Sequence, residues 1–129
     1  MFTFPKSEKL CSKKTIQALF EKGDSLNIYP FKVFWLSEKL NIQDSVQLAI
    51  SVPKRNFKKA VDRNLLKRRI RESYRHKKEI LFNYSLNNNL KISLILIYIS
   101  KEILDYKFID LKIETVLNKI VLTNEKNCN

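Results

Sequence analysis

Apolar residues recur along this chain with two different periods, and each change of period marks a new element. Ile16, Leu19 and Phe20 stand at i, i+3 and i+4 within Ser12 to Lys22, the spacing of one helical face, after an extended start at Phe2, Phe4 and Pro5. Gly23, the only glycine, follows where a left-handed C-terminal cap is expected. Between Ser25 and Leu36 Pro30 interrupts a β-rich run, which predicts a short strand and then a longer one from Phe31. In the longer strand Phe31, Val33 and Trp35 share one face, with Lys32, Phe34 and Leu36 on the other. A polar connection, Ser37 to Asp44, leads to Val46, Leu48, Ile50 and Val52, which alternate with Gln47, Ala49 and Ser51 as in a half-buried strand. Pro53 ends it.

A helical period then runs from about Phe57 to Leu81, with Asn56 as candidate N-cap. At ~100° per residue, Leu66, Ile70, Ser73, Lys77 and Leu81 fall on one side of this helix. Asn64, Lys67, Arg68, Arg71, Arg75 and Lys78 fall on another. Asn83 to Asn89 is polar and reads as a loop. Leu90 to Ile99 is a short apolar run between turn signals, the pattern of a fully buried central strand. Phe108, Leu111, Lys112, Thr115, Leu117, Ile120 and Val121 predict a last amphipathic helix, and Thr123 to Asn129 a frayed tail.

The predicted order is helix, two or three strands, long basic helix, strand, helix, in one α+β domain over residues 1–122 followed by the tail at 123–129. A sheet whose helices cover one face leaves the other face, or its margin with the first helix, open to a ligand. The long helix joins strands expected to be parallel, for which a right-handed crossover is the default.

Charge sharpens this picture through its location. The chain carries 25 Lys and Arg against 13 Asp and Glu, a net charge of +12. Lys54 to Lys78 holds twelve bases (Lys54, Arg55, Lys58, Lys59, Arg63, Lys67, Arg68, Arg69, Arg71, Arg75, Lys77 and Lys78) and two acids (Asp62 and Glu72). All six arginines of the chain lie there. Solvated helix faces usually mix signs, and this one does not. A guanidinium fork grips phosphate oxygens in bidentate fashion and stacks on bases, so the segment points to a polyanionic partner.

Few residues could support catalysis by side chains. His76, the only histidine, sits among cations, and no pair of carboxylates shares a helix face beside an apolar pocket. One glycine excludes a glycine-rich phosphate loop. Cys11 and Cys128 stand far apart and indicate neither a disulfide framework nor a metal site, in keeping with a reducing cytoplasm. No signal peptide is visible, and the longest apolar run, Ile92 to Ile99, is far short of the ~20 residues that span a bilayer.

The segment Lys58-Lys59-Ala60-Val61-Asp62-Arg63-Asn64-Leu65-Leu66-Lys67-Arg68-Arg69-Ile70-Arg71-Glu72-Ser73-Tyr74-Arg75 resembles the signature helix of the bacterial ribonuclease P protein component. Ala60-Val61, Arg63-Asn64, Lys67-Arg68, Arg71-Glu72 and Tyr74-Arg75 match in register. Upstream, Phe20 with Gly23, and Ile50-Ser51-Val52 with Lys54-Arg55, are similar to that family's first-helix ending and to its strand leading into the basic segment. Two positions depart from the pattern: Leu65 stands where the family's Arg-Asn-Arg triplet has its last arginine, and Lys58 where a glycine is common.

The resemblance implies a two-layer α/β sandwich with a left-handed crossover, against the default handedness. It implies a protein subunit that binds a catalytic RNA and, with it, removes the 5′ leader from precursor tRNA endonucleolytically. Mg²⁺ would be held mainly through the RNA, with no membrane and no protein partner required. By position, Lys54, Arg55, Lys59, Arg63, Asn64, Lys67, Arg68, Arg71 and Arg75 would contact RNA. Ile16, Phe20, Lys32 and Phe34 would line a leader cleft between the first helix and the sheet, with plain core packing as the other reading of Phe20 and Phe34. The rival function is a DNA-binding regulator that uses the basic helix 57–81, although no heptad zipper follows it. Membrane-surface binding is disfavoured because the apolar stripe of that helix is needed for the core, and a stand-alone nuclease because metal-binding carboxylates are lacking.

Overall fold

The computed structural model describes residue 10 and residues 13–39 and 46–127, with side chains to residue 125. The extended start, Ser12, both cysteines and the connection beyond Lys39 lie outside the described residues. The elements are α1 (Lys13–Lys22), β1 (Asp24–Ile28), β2 (Phe31–Lys39), β3 (Val46–Ser51), α2 (Ala60–Lys77), α3 (Glu79–Asn88), β4 (Leu90–Tyr98) and α4 (Tyr106–Asn127). The strands form one sheet in the order β1-β2-β4-β3. β4 pairs antiparallel with β2 and parallel with β3, which gives it the central place that its unbroken apolar run predicts.

Register sorts side chains between the two faces. Val33 lies opposite Leu96 and Leu96 opposite Ile50, while Trp35, Leu94 and Leu48 form the next row. These residues, with Phe31, Ile92 and Tyr98, build the main core against Leu66, Ile70 and Tyr74 of α2 and Ile109, Ile113, Val116, Leu117 and Ile120 of α4. The intervening rows, Phe34-Ile95-Ala49 and Lys32-Ile97-Ser51, point to the opposite face. There α1 lies over the central strands, and Leu19, Ile95 and Leu10 form a second, smaller core. The fold is therefore α+β, with three helices behind the sheet and one short helix in front of it.

Several elements depart from the pattern-based expectations. The basic helix begins at Ala60 with Lys59 as its N-cap, not at Phe57, and Asn56 belongs to the turn before it. Phe57 is buried and packs on the Tyr98 ring at 5.9 Å, which draws the backbone into the core before the helix can start. Asn83 to Asn88, expected as loop, is helical within α3. Leu81, Tyr84 and Ser85 are buried at helical spacing, and the Ser85 hydroxyl donates to the carbonyl of Leu90. α3 ends at Asn89 in the left-handed conformation (φ 52°, ψ 48°), one that Asn tolerates better than most residues.

α4 is rotated from the expected phase. Its buried stripe is Ile109, Ile113, Val116, Leu117 and Ile120, while Leu111 and Thr115 face solvent. It also continues beyond residue 122: in place of a frayed tail, Asn124 is buried, accepts from Trp35 Nε1 at 3.0 Å and donates to Ser37 Oγ at 2.6 Å. Gly23 is not left-handed. It is required because a Cβ there would come within 2.5 Å of the Leu19 carbonyl oxygen and 2.8 Å of that of Trp35.

Candidate nucleic-acid interface

α2 holds its basic residues in place by burying its other side. Leu66, Ile70, Ser73 and Tyr74 turn inward, so Asn64, Arg68 and Arg71 are exposed, with Lys67 half-buried at the margin. Lys54, Arg55 and Lys59 are exposed on the segment leading into the helix. Among the described residues none of these side chains is engaged by a carboxylate. Of the face predicted by angular spacing, Asn64, Lys67, Arg68 and Arg71 thus stand together on the outer side of the helix.

The other arginines are committed to the fold to different degrees. Arg63 donates to the carbonyls of Phe57 at 2.8 Å and Lys58 at 3.1 Å, fixing the turn that feeds the helix. Arg75 pairs with Glu72 at 2.6 Å, and His76 meets the same oxygen at 2.9 Å. The Arg75 guanidinium, followed by His76, holds the Glu72 carboxyl below its ordinary range. Arg69 donates to the Leu104 carbonyl at 2.6 Å.

A polar seam behind α2 was not found from the sequence. Ser73, fully buried, donates to Asp110 Oδ1 at 2.6 Å, and Lys77 reaches Asp110 at 3.5 Å and Glu114 at 3.1 Å. The Glu114 carboxylate, with help from Asp110 and against partial burial, raises the Lys77 pKa. The pairs 69/104, 73/110 and 77/114 advance together, so α2 and α4 run in the same direction and their seam sets how α2 is rotated. The one available signal was Lys77 falling on the apolar side of the helix.

On the other face of the sheet, the residues assigned to a leader cleft do come together. The Phe20 and Phe34 rings meet edge to face at 4.9 Å, and Lys32 Nζ lies 5.6 Å from the Phe34 centroid. Phe20 remains 50% exposed, which sets it apart from a core residue, whereas Ile16 packs partly buried on the small core beneath. The rows below, Ile97 and Ser51, lead toward the turn at Lys54. An aromatic pair, an ammonium and a basic exit can hold single-stranded nucleic acid by stacking and charge.

Among the described residues no three His, Cys, Asp or Glu side chains gather as a metal site, and no helix is long and apolar enough to cross a membrane.

The chain is similar to known proteins along most of its length. The family model described as Ribonuclease P matches residues 4–121. The ribonuclease P protein component of Porphyromonas gingivalis (strain ATCC 33277) is 27% identical over 119 residues, covering 92% of this chain and 87% of that protein. The solved RNase P protein of Thermotoga maritima superposes with a TM-score of 0.67 at 25% identity, over 87% of this chain and 96% of that one. The Staphylococcus aureus RNase P protein does so with a TM-score of 0.65 at 24% identity, over 89% and 96%. A cationic helix and an aromatic cleft on opposite faces of this sheet thus accompany a family match along nearly the whole chain, and the chain belongs to the ribonuclease P protein family.

Proposed function

We propose that this chain is the protein subunit of ribonuclease P and assists a catalytic RNA in the endonucleolytic removal of the 5′ leader from precursor tRNA in the cytoplasm. The observation that carries this reading is the division of labour between two faces. Asn64, Arg68 and Arg71 of α2, with Lys54, Arg55, Lys59 and Lys67, form an RNA-docking surface. Phe20, Phe34 and Lys32, on the far side of the sheet, form a site for unpaired leader nucleotides. Arg63 and Arg75 serve chiefly to shape that docking surface, given their bonds to the protein itself. Leu65, half-buried on α2, supplies no cation where the family triplet has its last arginine.

In this reading the RNA holds the Mg²⁺ ions and the reacting phosphate. The protein contributes affinity: charge neutralisation along α2 lowers the repulsion between two RNAs, and the cleft selects substrates that carry a leader. Reconstitution with a bacterial ribonuclease P RNA tests it. Cleavage of precursor tRNA at low Mg²⁺ should be stimulated by the protein, and the protein alone should cleave nothing. Absence of stimulation, or duplex DNA bound as tightly as the RNA subunit at matched salt, overturns the assignment.

A further inference from the structure

A second aromatic and cationic cluster stands at the end of the sheet where β3 and β4 finish. The β1–β2 turn is at this same end, because β2 begins at Phe31, opposite Tyr98 at the end of β4. Tyr29 occupies that turn and is 51% exposed. Its hydroxyl lies 2.8 Å from Ser100 Oγ, and its ring meets Phe108 edge to face at 6.4 Å. Lys112 Nζ is 5.3 Å from the Phe108 centroid. The three parts repeat those of the leader cleft: a half-exposed ring, a second ring set against its edge and an ammonium over the second ring. Pinning by Ser100 and Phe108 means that little side-chain entropy remains to be lost when another ring stacks on Tyr29.

Charge and position decide what occupies it. Lys101 and Lys107 are exposed nearby in sequence, as is Glu102. The Asp105 carboxylate accepts from the Phe108 N–H at 2.9 Å at the start of α4, and Asp110 is held by Ser73 and Lys77 on the other flank of that helix. Lys54 and Arg55 follow β3 at this end of the sheet, three inter-strand spacings from β1. At ~4.8 Å per spacing this is roughly 14 Å, so an RNA docked on the basic turn can reach Tyr29 within a few nucleotides. We propose that Tyr29, backed by Phe108 and Lys112, is a stacking platform for an unpaired nucleotide of the RNA subunit, continuous with the α2 docking surface.

This rests on the ribonuclease P assignment above, and the test separates the two. Full-length wild-type protein, Tyr29→Ala and Tyr29→Phe are compared in filter binding to a bacterial ribonuclease P RNA at several salt concentrations, with thermal melting to verify folding. Tyr29→Ala should bind about fivefold or more weakly with an unchanged salt slope, since stacking and not charge is lost. Tyr29→Phe should stay within about twofold of wild type, because the ring remains. Ultraviolet cross-linking should join the Tyr29 peptide to that RNA. Unchanged affinity of Tyr29→Ala overturns the platform, as does an equal loss in Tyr29→Phe, or a loss seen only for precursor tRNA binding to the assembled holoenzyme. Failure of wild type to bind the RNA removes the family-level reading as well, whereas wild-type binding with an indifferent Tyr29→Ala removes the platform alone.

Discussion

At the scale of single residues, the positions that matter most are those where a side chain, or its absence, settles a backbone path. Gly23 joins α1 to β1 directly against the carbonyls of Leu19 and Trp35. Both clashing atoms are backbone, so neither can swing aside. Gly23→Ala should therefore destabilise the fold by roughly 1–3 kcal/mol, the usual range for overpacking. Urea denaturation followed through the single tryptophan, Trp35, would show it as a lower midpoint, and an unchanged midpoint would mean that the turn yields freely. The need for glycine here was legible in the sequence, but its reason was not: composition indicates a left-handed cap, while the structure requires close approach to a neighbouring strand. Asn124 shows the same limit. A polar residue near a chain end reads as solvent-exposed until Trp35 and Ser37 are brought to it from 89 and 87 positions away.

At the scale of elements, strands were more legible than helices, because alternation in β2 and β3 and the apolar run in β4 each carry their own burial code. α3 and the phase of α4 were obscured for a physical reason. α3 is helical because Leu81 and Tyr84 have a core to enter, which its asparagines conceal, and α4 shows Leu111 to water while burying Ile109. The candidate interface divides in a similar way. Five of the six arginines lie on α2 and mark it as the candidate docking element, but only their contacts tell which of them are engaged by the protein itself. Arg68→Ala should weaken RNA binding and reduce the magnitude of the salt slope by roughly 0.7 to 0.9. Arg69→Ala, which loses the bond to Leu104, should lower stability and leave the slope unchanged. Salt titrations of both variants, beside their denaturation curves, would check the distinction; equal slopes in the two would refute it. The seam that orients α2 has its own signature in pH. Lys77 is raised above its ordinary pKa by Glu114 and Asp110, so its contribution is complete below the unfolded-state value and lost as pH rises through the folded one. Lys77→Met should accordingly be less stable than wild type near neutrality, and by a smaller margin in strong alkali. Denaturation midpoints measured across that range would reveal a convergence, and parallel curves would refute the linkage.

At the scale of the whole molecule, the proposed function makes the sheet a partition between two kinds of recognition. Its back carries α2 with its outward cations, suited in the proposed function to binding through charge; its front carries the Phe20 and Phe34 rings with Lys32 beside them, suited to binding through stacking. About six unengaged cations on and before α2 predict that log affinity for RNA falls with log salt at a slope of roughly −4 to −5. On the same proposal the cleft should add a component that is nearly independent of salt and depends on the presence of a leader. Because Phe20 and Arg68 lie on opposite sides of the sheet and share no partner, their effects on precursor binding should be additive to within ~0.3–0.5 kcal/mol. The informative measurement is a double-mutant cycle of Phe20→Ala and Arg68→Ala, run on the holoenzyme with precursor tRNA carrying a leader and with mature tRNA. With the precursor, each single variant should lose affinity and the double variant should lose the sum. With mature tRNA, the Phe20→Ala effect should vanish while that of Arg68→Ala persists, since only the cleft senses the leader. A coupling energy well above that bound would mean that the two faces grip one continuous RNA surface or shift together, and the sheet could then no longer be regarded as a partition.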